Sequence, residues 1–79
     1  MSNPEVSKRA ARRILKMCAV RNVPETDLLG KIGLSPSAWK RMKYGSQSLS
    51  LYNLVLVCKA LNVSSDYLVG LSDEYDRTD

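Results

Sequence analysis

The chain of 79 residues contains no histidine and only two cysteines. Cys18 and Cys58 stand far apart with no CxxC pair, so a zinc site lacks ligands, and no metal, cofactor or small-molecule ligand is expected. Each cysteine falls where a helical pattern calls for an apolar residue, and both are expected to be reduced and structural. With no histidine and scattered carboxylates there is no acid–base pair and no nucleophile beside a base, so the chain does not read as an enzyme. No run approaches the ~18 apolar residues of a membrane span. Met1-Ser2-Asn3-Pro4 is followed by charge where a secretory signal needs an apolar stretch. A cytosolic protein with no membrane partner is expected.

Acidic side chains are also missing where it matters. None lies between Asp27 and Asp66, a stretch that holds Lys31, Lys40, Arg41, Lys43 and Lys59. Residues 1–70 carry eleven Lys and Arg against four acids, a net +7, while residues 71–79 set Arg77 against Asp73, Glu74, Asp76 and Asp79, a net −3. Such a body attracts phosphate and releases counterions on binding it. The length supports one small helix-packed domain over residues 1–71, with the acidic remainder, 72–79, expected to be a flexible tail. There is neither an internal repeat nor a low-complexity segment.

What is present is helical periodicity. Val6, Ala10, Ile14, Met17 and Cys18 recur at three and four residues, with Ala11 and Leu15 widening the stripe, and predict a helix over 5–21. Lys8, Arg9, Arg12, Arg13 and Lys16 cover its other side, read as a solvated face. Pro24 suits the first position of a second helix ending at Ile32, with Glu25 and Asp27 at its positive end and Leu28, Leu29 and Ile32 inward. Gly45, Ser46, Gln47 and Ser48 form a polar loop. Ser50 caps a fourth helix whose core-facing spacings hold Leu51, Leu54, Val55, Cys58 and Leu61. Ser64 caps a short fifth helix, with Tyr67, Leu68 and Leu71 closing the core and Gly70 ending it.

Between the second and fourth helices lie the most informative residues, 32–44. Gly33 suits a tight left-handed turn, Leu34 plugs the corner, Ser35 reads as an N-cap and Pro36 as the first helical residue. Trp39 and Met42 share one buried stripe while Ser37, Lys40, Arg41 and Tyr44 point elsewhere. Two helices sharing a short glycine turn, the second offering small polar and basic side chains, describe a helix-turn-helix that reads DNA.

Three stretches then resemble the phage repressor and Cro type of helix-turn-helix domain, also called the Xre type: residues 28–35, residues 39–45, and residues 54–68 with their closing Asp66-Tyr67-Leu68. The resemblance covers about residues 10–71. It implies an all-α, five-helix, lambda-repressor-like bundle in which helices 2 and 3 form the helix-turn-helix. Carried over position by position, it assigns base reading in the major groove to Pro36, Ser37, Lys40 and Arg41. Arg41 is suited to guanine O6 and N7, and Lys40 to the same atoms or a phosphate. Phosphate contacts are assigned to Lys43, Tyr44, Ser46, Gln47 and Ser48.

The chain departs from the family pattern at three places. Glu25 replaces the usual glutamine opening helix 2, and three readings stay open there: it turns away, it accepts from a cytosine amino group, or helix 2 docks differently. Leu29 replaces a small residue. Cys18 and Lys43 replace a common Arg–Glu salt bridge between helices 1 and 3, so Lys43 is expected to be released from any internal partner and to point outward to phosphate. The implied function is that of a sequence-specific regulator binding double-stranded DNA, most simply as a repressor and a homodimer. Tyr52, Leu56 and Leu71 are the candidate dimer patch. The alternative is an antitoxin-like or antirepressor-type module that keeps the fold and binds protein, favoured by Glu25 and Pro36 at DNA-reading positions.

Overall fold

Serine hydroxyls open three of the five helices in the computed structural model, which describes residues 4–76. The helices are α1 (Pro4–Val20), α2 (Glu25–Ile32), α3 (Pro36–Lys43), α4 (Leu51–Leu61) and α5 (Ser65–Val69), with no strand among the described residues. The fold is therefore the expected all-α bundle. Ser35 Oγ accepts from the Ala38 N–H at 3.1 Å, Ser50 Oγ from Asn53 at 3.0 Å and Ser64 Oγ from Asp66 at 3.2 Å. Each cap satisfies an N–H that the helix itself leaves without a partner.

The second helix starts differently from the sequence expectation. Pro24 has an extended ψ of 142° and stands outside the helix as its N-cap, with no side-chain acceptor to offer. Glu25 and Asp27 in the first turn supply the negative charge that stabilises this end. At the other end Gly33 adopts φ 68° and its N–H returns to Leu29 O. This left-handed residue reverses the chain into α3, and a side chain there would strain the backbone.

The core is made of Ile14 and Met17 of α1, Leu28 of α2, Val57 and Leu61 of α4, Leu68 of α5, and Val63 in the α4–α5 corner. Burying each side chain of this size contributes about 1.5–3 kcal/mol relative to exposure. Helix α1 packs against α3 and α5, and α2 against α4. Two predicted stripes need correction. At the start of α1 it is Ser7 that is buried, while Val6 is exposed. In α4, Leu51 and Val55 face solvent, whereas Val57, placed outside the predicted stripe, is fully buried. That helix, LYNLVLVCKAL, is apolar on nearly every side, so spacing alone leaves several possible faces. The actual one is set by Val57 and Leu61, four apart, with Leu54, Leu56, Cys58 and Ala60 packed at its flanks.

The segment after α5, expected to be a flexible tail, is held against the bundle over residues 72–76. Arg13 donates to Tyr67 O at 2.5 Å, to Ser72 O at 2.8 Å and to Asp73 Oδ1 at 3.2 Å. Arg21 donates to Leu61 O at 2.9 Å, Asn62 O at 3.0 Å and Asp76 Oδ1 at 3.1 Å. Tyr75 packs edge-on to Tyr67 with centroids 5.7 Å apart, and its carbonyl accepts from Ser64 N–H at 2.9 Å. Residues 77–79 lie outside the described residues. Two arginines and an aromatic pair thus make this stretch part of the fold.

Candidate nucleic-acid interface

The third helix presents two faces set by its sequence. Ala38, Trp39 and Met42 are buried against the bundle, and Pro36, Ser37, Lys40, Arg41 and Lys43 lie exposed. Trp39 is 4% exposed, so its indole belongs to the core and not to a stacking surface. Lys40 has no ion pair among the described residues, and Arg41 Nε donates to the neutral Gln47 Oε1 at 2.8 Å. The guanidinium therefore keeps its charge unneutralised while its direction is constrained by the loop.

That loop is tied back to the end of the helix. Ser46 N–H and Ser46 Oγ both donate to Arg41 O, at 2.9 and 3.2 Å. Tyr44, Ser46 and Ser48 are exposed and Gln47 is half-buried, so four of the five residues assigned to phosphate present polar groups beside α3. The fifth, Lys43, does not behave as expected.

Glu25 explains why. It faces α3: its Oε1 accepts from the Trp39 indole N–H and forms an ion pair with Lys43 Nζ at 3.0 Å. Lys43 Nζ also lies 5.4 Å from the centroid of the Trp39 ring. The expectation that Lys43 is released from any internal partner is overturned, because loss of the usual α1–α3 ion pair is accompanied by a new one between α2 and α3. Of the three readings left open for Glu25, the carboxylate turns inward onto the neighbouring helix. The indole hydrogen bond first, and the Lys43 ammonium second, hold the Glu25 carboxyl below its ordinary 4.5. Cys18 is buried nearby, and burial, reinforced by the Glu25 charge, pushes its thiol upward. It is a free thiol in the core, as its position in the helical pattern predicted.

The basic face of α1 is solvated at Arg12 and Lys16, as read, but not throughout. Arg9 donates to Val69 O at 3.0 Å, and Arg13 and Arg21 hold the segment after α5. Lys8 pairs with Glu5 at 3.7 Å. Sequence reasoning saw a basic body and an acidic end, and their opposite charge was the available signal for the contact. The exposed cations of α3 and the polar loop after it form a surface suited to phosphate.

A shallow groove separates α2 from α3, floored by Leu29, Pro36 and Trp39 and rimmed by Glu25, Lys40 and Lys43. Of the candidate dimer residues, Tyr52 and Leu71 are 72% and 80% exposed, while Leu56 is half-buried and packs on the core. Leu56 is therefore not the free apolar residue its position suggested. Leu51 and Val55 are exposed on α4 instead. No helix among the described residues is long and apolar enough to cross a membrane. No group of three His, Cys, Asp or Glu side chains among them is placed to hold a metal ion.

A family model described as a Cro/C1-type HTH DNA-binding domain matches residues 13–74. The match runs from the middle of α1 through α5 and into the docked segment. No curated protein matches the chain.

Proposed function

Because the chain belongs to the Cro/C1-type HTH DNA-binding domain family, and is thus a DNA-binding regulator, we propose that it is a sequence-specific repressor of the phage type that reads the major groove with α3. The observation that carries this reading is the division of α3: Trp39 buried, Lys40 and Arg41 exposed with no carboxylate partner among the described residues. Arg41 is the residue assigned to guanine O6 and N7, and its Nε bond to Gln47 leaves the two terminal nitrogens free to donate. Lys40 reaches a base edge or a phosphate. Pro36 and Ser37, at the start of the helix, allow its close approach, and Ser37 can bond a base or phosphate. Tyr44, Ser46, Gln47 and Ser48 supply donors to the backbone, fixing register without reading sequence.

One recognition helix covers a half-site, so the protein is proposed to bind as a homodimer on two half-sites about 34–36 Å apart. The apolar side chains available for pairing are Tyr52 and Leu71, joined by Leu51 and Val55. The Glu25 charge that helped to suggest the protein-binding alternative is engaged with Trp39 and Lys43, and Pro36 alone does not favour it. The test is selection of bound duplexes from a random pool, with binding to a mixed-sequence duplex followed across salt. An inverted-repeat motif, and non-specific binding that weakens steeply with salt, support the reading. Failure to bind any duplex at low salt overturns it.

A further inference from the structure

Glu25 places one carboxylate oxygen on two groups of α3 at once, the Trp39 indole N–H and the Lys43 ammonium. We propose that Glu25 is an internal counter-anion, occupying on Lys43 the place a DNA phosphate would take and so lowering affinity for duplex of any sequence. The proposal rests on the DNA-binding reading above. It makes Glu25 a determinant of specificity that touches no base: by suppressing a contact common to all sequences, it raises the share of binding carried by Arg41 and Lys40.

Three observations support it. Lys43 stands one turn after Lys40 and lines the same groove, so a backbone reaching Lys40 passes close to Lys43. Its ammonium, however, lies along the Trp39 ring toward the start of α2. The pair is half-exposed, with 40% of the Lys43 and 38% of the Glu25 side chain accessible, so the ammonium is open to a phosphate once the Glu25 charge is removed. What makes Glu25 an effective competitor is its anchor. The indole N–H of Trp39 is held in a buried residue and requires an acceptor. The carboxylate is thereby fixed beside Lys43 and competes as a tethered group, at high effective concentration.

The experiment measures the affinity of the full chain for a fluorescently labelled mixed-sequence duplex over a salt series, with melting curves and Trp39 emission confirming the fold of each variant. Glu25→Gln retains an amide oxygen for the indole but discharges the partner of Lys43. It is expected to steepen the slope of log K against log salt by about 0.9, as for one added phosphate contact, and to bind about tenfold more tightly at low salt. Lys43→Met in the wild-type background leaves slope and affinity unchanged, and in the Glu25→Gln background it restores the wild-type slope. Three results overturn the proposal: a wild-type slope in Glu25→Gln, a steeper slope that survives in the double variant, or a slope flattened by about 0.9 in Lys43→Met alone. Should Glu25→Gln not fold, a slope flattened by about 0.9 in Lys43→Met still overturns the proposal. If neither wild type nor Glu25→Gln binds duplex, the DNA-binding reading falls as well. Normal wild-type binding with no response to the substitutions removes the counter-anion alone.

Discussion

Replacing Arg13 by Met tests how much of this small domain depends on joining α1 to the segment after α5. The side chain is 21% exposed and its Nη1 serves two backbone carbonyls, Tyr67 O and Ser72 O, while the guanidinium carbon lies 4.4 Å from the Tyr67 ring centroid. Two bonds from one charged nitrogen in a partly buried site contribute about 2 kcal/mol together, in line with charge-assisted bonds of ~1.5–3 kcal/mol each discounted for sharing and exposure. The cation over the ring adds about 1 kcal/mol. Asp73 is fully exposed, and its ion pair with Arg13 adds nothing measurable. Arg13→Met keeps the aliphatic stem on Tyr67 and is expected to cost about 3 kcal/mol. A domain of this length has a total of roughly 4–12 kcal/mol at ~0.05–0.15 kcal/mol per residue. At ~4–8 °C per kcal/mol the melting temperature falls by at least about 10 °C, read by circular dichroism. Asp73→Asn leaves the melting curve unchanged. A melting temperature for Arg13→Met within about 3 °C of wild type, or an equal drop in Asp73→Asn, refutes the reasoning.

Gly70 has φ 91°, and a Cβ added there collides with the Arg9 guanidinium. Gly70→Ala therefore combines left-handed backbone strain with loss of the Arg9 bond to Val69 O, and chemical denaturation should show a destabilisation of about 2 kcal/mol. The Glu25 carboxyl titrates lower in the folded than in the unfolded protein. Its stabilising contribution is thus complete above the ordinary 4.5 and is lost as pH falls through the lower folded value, so Glu25→Gln should make stability less dependent on pH below 4.5. Arg41→Ala should cost about 1–3 kcal/mol on the selected duplex and relax preference at one base pair, with a smaller effect on mixed sequence, in competition binding.

The parts of this molecule legible in its sequence are those governed by local chemistry. Ser35, Pro36 and the spacing of Trp39 to Met42 fixed both the start and the inward face of α3, because the capping side chain and the buried pair lie within seven residues of one another. Gly33 was legible for the same reason. Helix α4 was not, since a segment apolar almost all round has no periodicity from which to choose Val57 over Leu51. The pairing of Arg13 with the Ser72–Asp73 stretch and of Glu25 with Lys43 joins residues distant in sequence. Sign of charge marked these residues as complementary, but only the packing of α1 on α5 and the approach of α3 to the start of α2 bring them together. The reading of Pro24 failed by a single residue: an extended ψ puts it outside the helix it precedes.

Amide chemical-shift mapping on the labelled protein, titrated with the duplex recovered by selection, tests the central claim most directly. The account predicts that the largest changes cluster on residues 35–48, with Lys40, Arg41 and the loop residues Gln47 and Ser48 at their centre, while Arg13, Arg21 and the docked residues 72–76 stay nearly still. Changes concentrated on α1 and the docked segment, with α3 silent, contradict it.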